Sequence, residues 1–327
     1  MTTTWTKQIG LSVLIAPLLL GTAQAAETPP SFSDPTYIVV GYQPGGASDR
    51  AARFVAEQLQ KKLDVSVIVE NKTGAGGRVA AQYVKSQPES KDTLMIGNPA
   101  VMVVAPQVFS NLNYDPSTDF KAVSTVTNYH FGVAVAADSP IKTVQELLDW
   151  AKANPESFNI AVPASGSLPH FFALMLSEQA KVKAEVIGYR GSAPALTDLI
   201  GGTIPVAIDT LDVLTAQHKG GRVRILATSG AEPEAGLDAP TFKAAGLELE
   251  ASGWNALFAP AVMSDVKVSY LGNLVKDIMS QSEVRERFIQ SDLPPVAANH
   301  EETAANIEQF SQQWLPVIKA SGYKVDQ

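Results

Sequence analysis

Two short stretches carry residue types that could hold an anion. Gly41 to Asp49, GYQPGGASD, lies between an apolar run, TYIVV, and a helical run, RAARFVAEQLQKKL. Gly45 and Gly46 let the backbone adopt positive φ and approach a ligand, while Ser48 or Asp49 can cap the helix that follows. The unpaired N–H groups of that helix start could meet a phosphate, a carboxylate, or nothing beyond the cap itself. The second stretch, IAVPASGSLPHFFALML, leaves a strand at Val162, passes Ser165, Gly166 and Ser167, and enters a helix near Leu168. Two such junctions, one in each half of the chain, favour a pair of helix N-termini facing each other over a bound anion.

Three further strand ends supply polar groups: Asn98 after TLMIG, Tyr189-Arg190-Gly191 after AEVIG, and Asp209-Thr210 after IPVAI. Ligands of open α/β sheets sit outside the carboxyl ends of strands, where these residues fall, although each is equally a turn or a cap. Asp209 either selects a ligand ammonium or hydroxyl or caps the helix at 210 to 218. His170, at the second helix start, either bonds a ligand or loop or is a satisfied structural histidine. Trp254 packs a hinge rather than a ligand. The cluster NKTGAGGRVAAQYV (71 to 84) approaches a dinucleotide fingerprint, but its third glycine is Val79 and no suitably placed acid follows; it reads as another turn opening a helix.

Catalytic patterns are missing: no G-x-S-x-G, no H-E-x-x-H, no Walker lysine and no cysteine. The four histidines, 130, 170, 218 and 300, show no i, i+4 pairing. No enzyme activity, cofactor or metal is expected.

The elements that must position these residues alternate short β-branched runs with amphipathic runs from Thr36 onward, the mark of an α/β fold with mostly parallel sheets. Strands are expected at 36–42, 65–71, 93–97, 122–127, 131–137, 158–162, 184–189, 204–209, 222–228 and 254–259, and helices at 143–153, 168–181, 192–200, 264–280, 282–290 and 300–320. The helical C-terminal texture suggests a segment that packs back on the first domain. Domain one is therefore expected at about 30–128 plus 254–327 and domain two at about 129–253, with hinge crossings near 128–132 and 250–256.

Residues 1–25 hold one charge, Lys7, a 12-residue apolar run from Ile9 to Leu20, and Ala23-Gln24-Ala25, a signal-peptidase pattern; cleavage is expected after Ala25. Removing 25 of 327 residues leaves 302, and losing Lys7 takes the formal charge from −8 to −9. An exported chain without cysteine has neither disulfides nor a lipidated cysteine and suits a bacterial periplasm. Its acidic balance and scattered lysines and arginines argue against a nucleic-acid partner. A small anion held by local N–H dipoles remains compatible with it.

In this order, the residues resemble the Bug family, the periplasmic substrate-binding receptors of tripartite tricarboxylate transporters. The family's opening turn stands as Tyr42-Gln43-Pro44-Gly45-Gly46-Ala47-Ser48-Asp49; VENKTGAGG (69–77), NLNYDPSTDF (111–120) and GYRGSAPALTDLIGGTI (188–204) match three more of its blocks. The resemblance runs from about residue 36 to the C-terminus. It implies a two-lobed type II periplasmic-binding-protein fold that closes on a small carboxylate by hinge motion, one carboxylate being held by main-chain groups of the opening turn and of the second-lobe serine-rich turn. Carried over, the site is Tyr42, Gly45, Gly46, Ala47 and Asp49 in lobe 1, and Ser165, Ser167, His170, Tyr189 and Asp209 in lobe 2. Asn98, where the family often has serine or threonine, and Gln43, where it often has proline, bear on the distal group of the ligand. The implied partners are that ligand and the membrane permease subunits of such a transporter, with the receptor a monomer. The alternatives are an exported α/β enzyme using His170 and Asp209, or an adaptor that reports ligand to a signalling partner.

Overall fold

The computed structural model describes residues 1–4, 29–291 and 293–325. The expected leader cleavage after Ala25 lies outside the described residues. The first part of the chain runs β1 (Thr36–Val40), α1 (Ala47–Leu63), β2 (Val67–Asn71), a 3-10 turn (Ala75–Gly77), α2 (Arg78–Lys85), β3 (Thr93–Gly97), a π turn (Ala100–Val104), α3 (Ala105–Val108), α4 (Pro116–Asp119) and β4 (Phe120–Ala136). It continues through α5 (Val144–Ala153), β5 (Asn159–Val162), α6 (Leu168–Ala180), β6 (Glu185–Gly188), α7 (Ser192–Ile200), β7 (Val206–Thr210), α8 (Leu211–Lys219) and β8 (Val223–Thr228). The last elements are β9 (Ser252–Pro260), α9 (Asp265–Met279), α10 (Ser282–Ile289) and α11 (His300–Ala320).

Two halves repeat one plan. β1 pairs in parallel with β2 and β3, and β5 in parallel with β6 and β7. Antiparallel strands complete each sheet, β9 beside β3 in the first half and β4 beside β7 and β8 in the second. The strand order β2-β1-β3-β9 thus mirrors β6-β5-β7-β4. In each half the chain leaves a middle strand, β1 or β5, and returns to both of its sides, which makes that strand's carboxyl end the switch point where open α/β sheets take ligands.

Strand alternation and helix periodicity explain how the layers form. Ile38 and Val40 face α1, whose Ala51, Val55 and Leu59 are buried with them. Val39 faces the other way, toward Ala80, Ala81 and Val84 of α2. In the second half Phe131 meets Phe172 of α6 at 5.3 Å and Trp314 of α11 at 6.0 Å between ring centroids. Burying each such ring contributes about 2–3 kcal/mol. Alpha-11 touches both α9 and α6, so the C-terminal segment bears on the two halves and not on the first alone.

One element differs in kind from expectation. The two strands expected at 122–127 and 131–137 are a single strand, β4, that pairs with β9 through His130 and with β7 and β8 from Phe131 onward. No Gly or Pro separates them, and Asn128, Tyr129 and His130 stay extended because each has a partner on β9. Register shifts near Val123 and Val126 supply the twist that the passage between sheets needs.

Candidate ligand-binding site

At the β1–α1 junction Gly45 takes φ +86°, as the turn requires. Gly46 does not share it: with φ −70° and ψ 168° it is the N-cap of α1, and no side chain caps the helix. The expected caps do other work. Ser48 Oγ lies 2.6 Å from Asn255 Oδ1, and Asn255 Nδ2 donates to Thr127 Oγ1 at 3.0 Å, a buried chain from α1 to β9 and β4. Asp49, 2 % exposed, accepts from Gly45 N–H (2.9 Å), Arg53 Nε (2.9 Å) and Asn71 Nδ2 (2.8 Å). Burial alone would raise its pKa, but these hydrogen bonds hold it below the ordinary carboxylate value. Asp49 is therefore a brace for the turn, and Gly45 N–H is committed to it. The N–H groups of Ala47, Ser48 and Asp49 itself, at the start of a 17-residue helix, have no acceptor among the described residues.

The glycine cluster and β3 meet this turn through Tyr42. Its hydroxyl donates to Gly76 O at 3.2 Å and accepts from Asn98 Nδ2 at 2.8 Å. Burial pushes the Tyr42 pKa up to about 12, against the opposing bond to Asn98. A Cβ at Gly77 would stand 3.2 Å from the Tyr42 hydroxyl, so the cluster lets the backbone pass close to that side chain. Gln43 is exposed at the mouth of the turn.

In the second half α6 begins at Leu168 with Ser167 as its N-cap, whose Oγ accepts from His170 N–H at 3.4 Å and donates to Ala164 O at 2.7 Å. Gly166 N–H donates to His170 Nδ1 at 2.7 Å. Burial lowers the His170 pKa, so the ring is neutral with its proton on Nε2. Ser165 is exposed beside Gly188, where a Cβ would collide with its Oγ at 2.0 Å. Tyr189 is turned onto α7, its hydroxyl donating to Asp198 Oδ2 at 2.7 Å. Asp209, 3 % exposed, accepts from Thr210 N–H at 2.8 Å; burial, only partly opposed by hydrogen bonds from Ser192 and Thr210, raises its pKa to about 6. It caps no helix, since Thr210 is the N-cap of α8. His170 and Asp209 share no hydrogen bond.

A residue missed by sequence reasoning is Tyr129. Its ring lies over Gly253, where a Cβ would come 2.1 Å from the ring, and the Asp212 carboxylate of the second half acts on it electrostatically. Burial drives its pKa far up, so the phenol stays protonated; its hydroxyl has no hydrogen-bond partner among the described residues. The signal was a tyrosine at an expected crossing opposite a lone glycine, but the cross-strand pairing that joins them is not readable from sequence.

The fold and the paired helix starts define a two-lobed binding protein. Among the described residues no helix is long and apolar enough to cross a membrane, and no cluster of metal-ligating side chains occurs. The profile described as "Tripartite tricarboxylate transporter family receptor" matches residues 51–323, and the chain belongs to that family. A UPF0065 protein of Bordetella bronchiseptica is 32 % identical over 315 residues, covering 96 % of this chain and 93 % of the relative. An R. palustris protein solved with adipate superposes with a TM-score of 0.78 at 26 % identity, covering 89 % of this chain and 98 % of the other. MatC from Rhodopseudomonas palustris with bound malate gives 0.71 at 26 % identity, covering 88 % and 100 %.

Proposed function

We propose that this chain is a periplasmic solute receptor that captures a small carboxylate between two lobes and delivers it to the membrane permease of a tripartite tricarboxylate-type transporter. The observation that carries the reading is the pair of helix starts, α1 with the unaccepted N–H groups of Ala47 to Asp49 and α6 behind Ser165 to Ser167, at the matching switch points of the two sheets. Such donors favour an anion through hydrogen bonds and the helix dipole. Two solved relatives, with adipate and with malate, hold carboxylates.

Lobe 1 is assigned to about 30–128 plus 254–327 and lobe 2 to about 129–253. The site comprises Tyr42, Gln43, Gly45, Gly46, Ala47, Asp49 and Asn98 in the first and Ser165, Ser167, His170, Tyr189 and Asp209 in the second, with Tyr129 at the crossing. Within it, Asp49, Tyr189 and Asn98 hold loops, a role that their hydrogen bonds support. Asp209 at neutral pH offers a partly uncharged carboxyl that can donate to a ligand oxygen. The chain is exported with cleavage after Ala25, works as a monomer and performs no chemistry on its ligand.

Native mass spectrometry of the protein purified from its own periplasm tests this. A retained ligand of unchanged mass that carries at least one carboxylate is the expected result; a ligand lacking any acid group, or one released chemically altered, contradicts it.

A further inference from the structure

The strand pair that carries Tyr129 has a second face. In the β4–β9 register Asn128 stands opposite Trp254, Tyr129 opposite Gly253 and His130 opposite Ser252. Alternation along a strand sends Tyr129 to one side and its two neighbours to the other. On that other side lies a cavity of about 490 Å³, walled by Asn128, His130 and Trp254 from the strands and by Asn306, Gln309 and Phe310 from α11. None of the residues of the carboxylate cleft lines it.

Its chemistry differs from that of the cleft. No lysine or arginine lines it, and His130 is already held by Glu234 through Nδ1, at 2.5 Å from Oε1. The wall also carries the exposed Glu250, so it offers an anion a carboxylate rather than a counter-charge. Gln313 is committed to the Glu250 carbonyl, whereas the side-chain amides of Asn128, Asn306 and Gln309 bond to no described residue. Asn306, Gln309 and Phe310 share one face of α11 by their three- and four-residue spacing. Free amides offer donor and acceptor together, as a hydroxyl does. Beside them the rings of Trp254 and Phe310, 5.9 Å apart and edge to face, form an apolar wall. A few convergent polar groups against an aromatic wall are the usual make-up of a small-molecule site.

We propose that this hinge-side cavity is a second binding site, for a small neutral polyhydroxyl compound of monosaccharide or cyclitol size. This cavity and the interlobe cleft share no residue, so binding at either can fail alone.

Isothermal titration and tryptophan fluorescence with D-glucose, xylitol and myo-inositol test it, with putrescine and succinate as charged probes. Saturable binding of at least one polyol is expected, weakened about tenfold or more by Asn306→Leu or Gln309→Leu. Asn306 and Gln309 are exposed on α11, so both variants keep the fold, which circular dichroism checks. Binding should persist in Tyr129→Phe, which alters the opposite face. The proposal is overturned by the lack of saturable binding up to about 10 mM, beyond the millimolar edge of specific affinity. Polyol binding untouched by both leucine variants, or a preference for putrescine or succinate over every polyol, overturns it equally.

Discussion

The backbone N–H of Gly166 donates to Nδ1 of His170 at 2.7 Å, tying the second-lobe turn to the first turn of its helix. Only a neutral ring with its proton on Nε2 can accept that bond, and burial lowers the His170 pKa in the same sense. A folded pKa below the unfolded value of about 6.5 means stability present above that value and lost as pH falls through the folded one. His170→Asn, whose Oδ1 can accept without titrating, should flatten this part of the stability profile. Urea unfolding of both proteins between about pH 7.5 and pH 5 checks it. Parallel profiles would contradict it.

Asp209 runs in the opposite direction. Its pKa rises from 3.8 to about 6 because it is buried, so its protonated form favours the fold below 3.8 and that contribution is lost as pH rises through 6. The rise corresponds to about 3 kcal/mol at pH above 7. Asp209→Asn should therefore stabilise the ligand-free protein by about 1–3 kcal/mol near pH 8 and hardly at all near pH 3.5. If Asp209 contacts the ligand, the same variant binds more weakly. Denaturation midpoints at the two pH values, with a parallel binding titration, separate the effects.

Tyr129→Phe removes a hydroxyl with no partner among the described residues, so it should leave thermal stability within about 0.5 kcal/mol while weakening ligand about tenfold. Gly253→Ala is the harsher change, since its Cβ would stand 2.1 Å from the Tyr129 ring. Displacing that ring should cost about 1–3 kcal/mol and ligand affinity together. A stable Gly253→Ala protein with normal affinity would show that Tyr129 does not face the ligand.

Asp49 gathers Gly45, Arg53 and Asn71 around one buried carboxylate. Asp49→Ala leaves those donors unmatched and should cost about 2–4 kcal/mol, with Asp49→Asn recovering part through its remaining oxygen. Because the carboxylate works through the turn, affinity should fall with the order of the turn. Hydrogen exchange at Gly45 and Gly46 alongside titration checks this; loss of affinity with unchanged exchange would mean direct contact instead.

Much of this arrangement was legible in the chain. Gly45 before a helical run and the Ser165–Ser167 stretch before Leu168 mark their turns by residue type; α6 begins at the expected Leu168, whereas α1 begins at Ala47, three residues ahead of the expected run at Arg50. What Asp49 does was not legible, because an aspartate three residues into a helix looks the same whether it faces a ligand or folds back on Gly45. Nor was the continuity of β4, where Asn128 to His130 carry no turn signal and are held extended only by a distant strand. Tyr129 was hidden for the same reason: its role depends on Gly253, brought beside it by tertiary pairing.

The most direct measurement is isothermal titration of the protein lacking residues 1–25 with malate, adipate and citrate against their corresponding amides. The account predicts saturable binding of at least one acid and none of its amide, since the two helix starts select charge. Binding of acid and amide with equal affinity, or of no carboxylate at all, would contradict it.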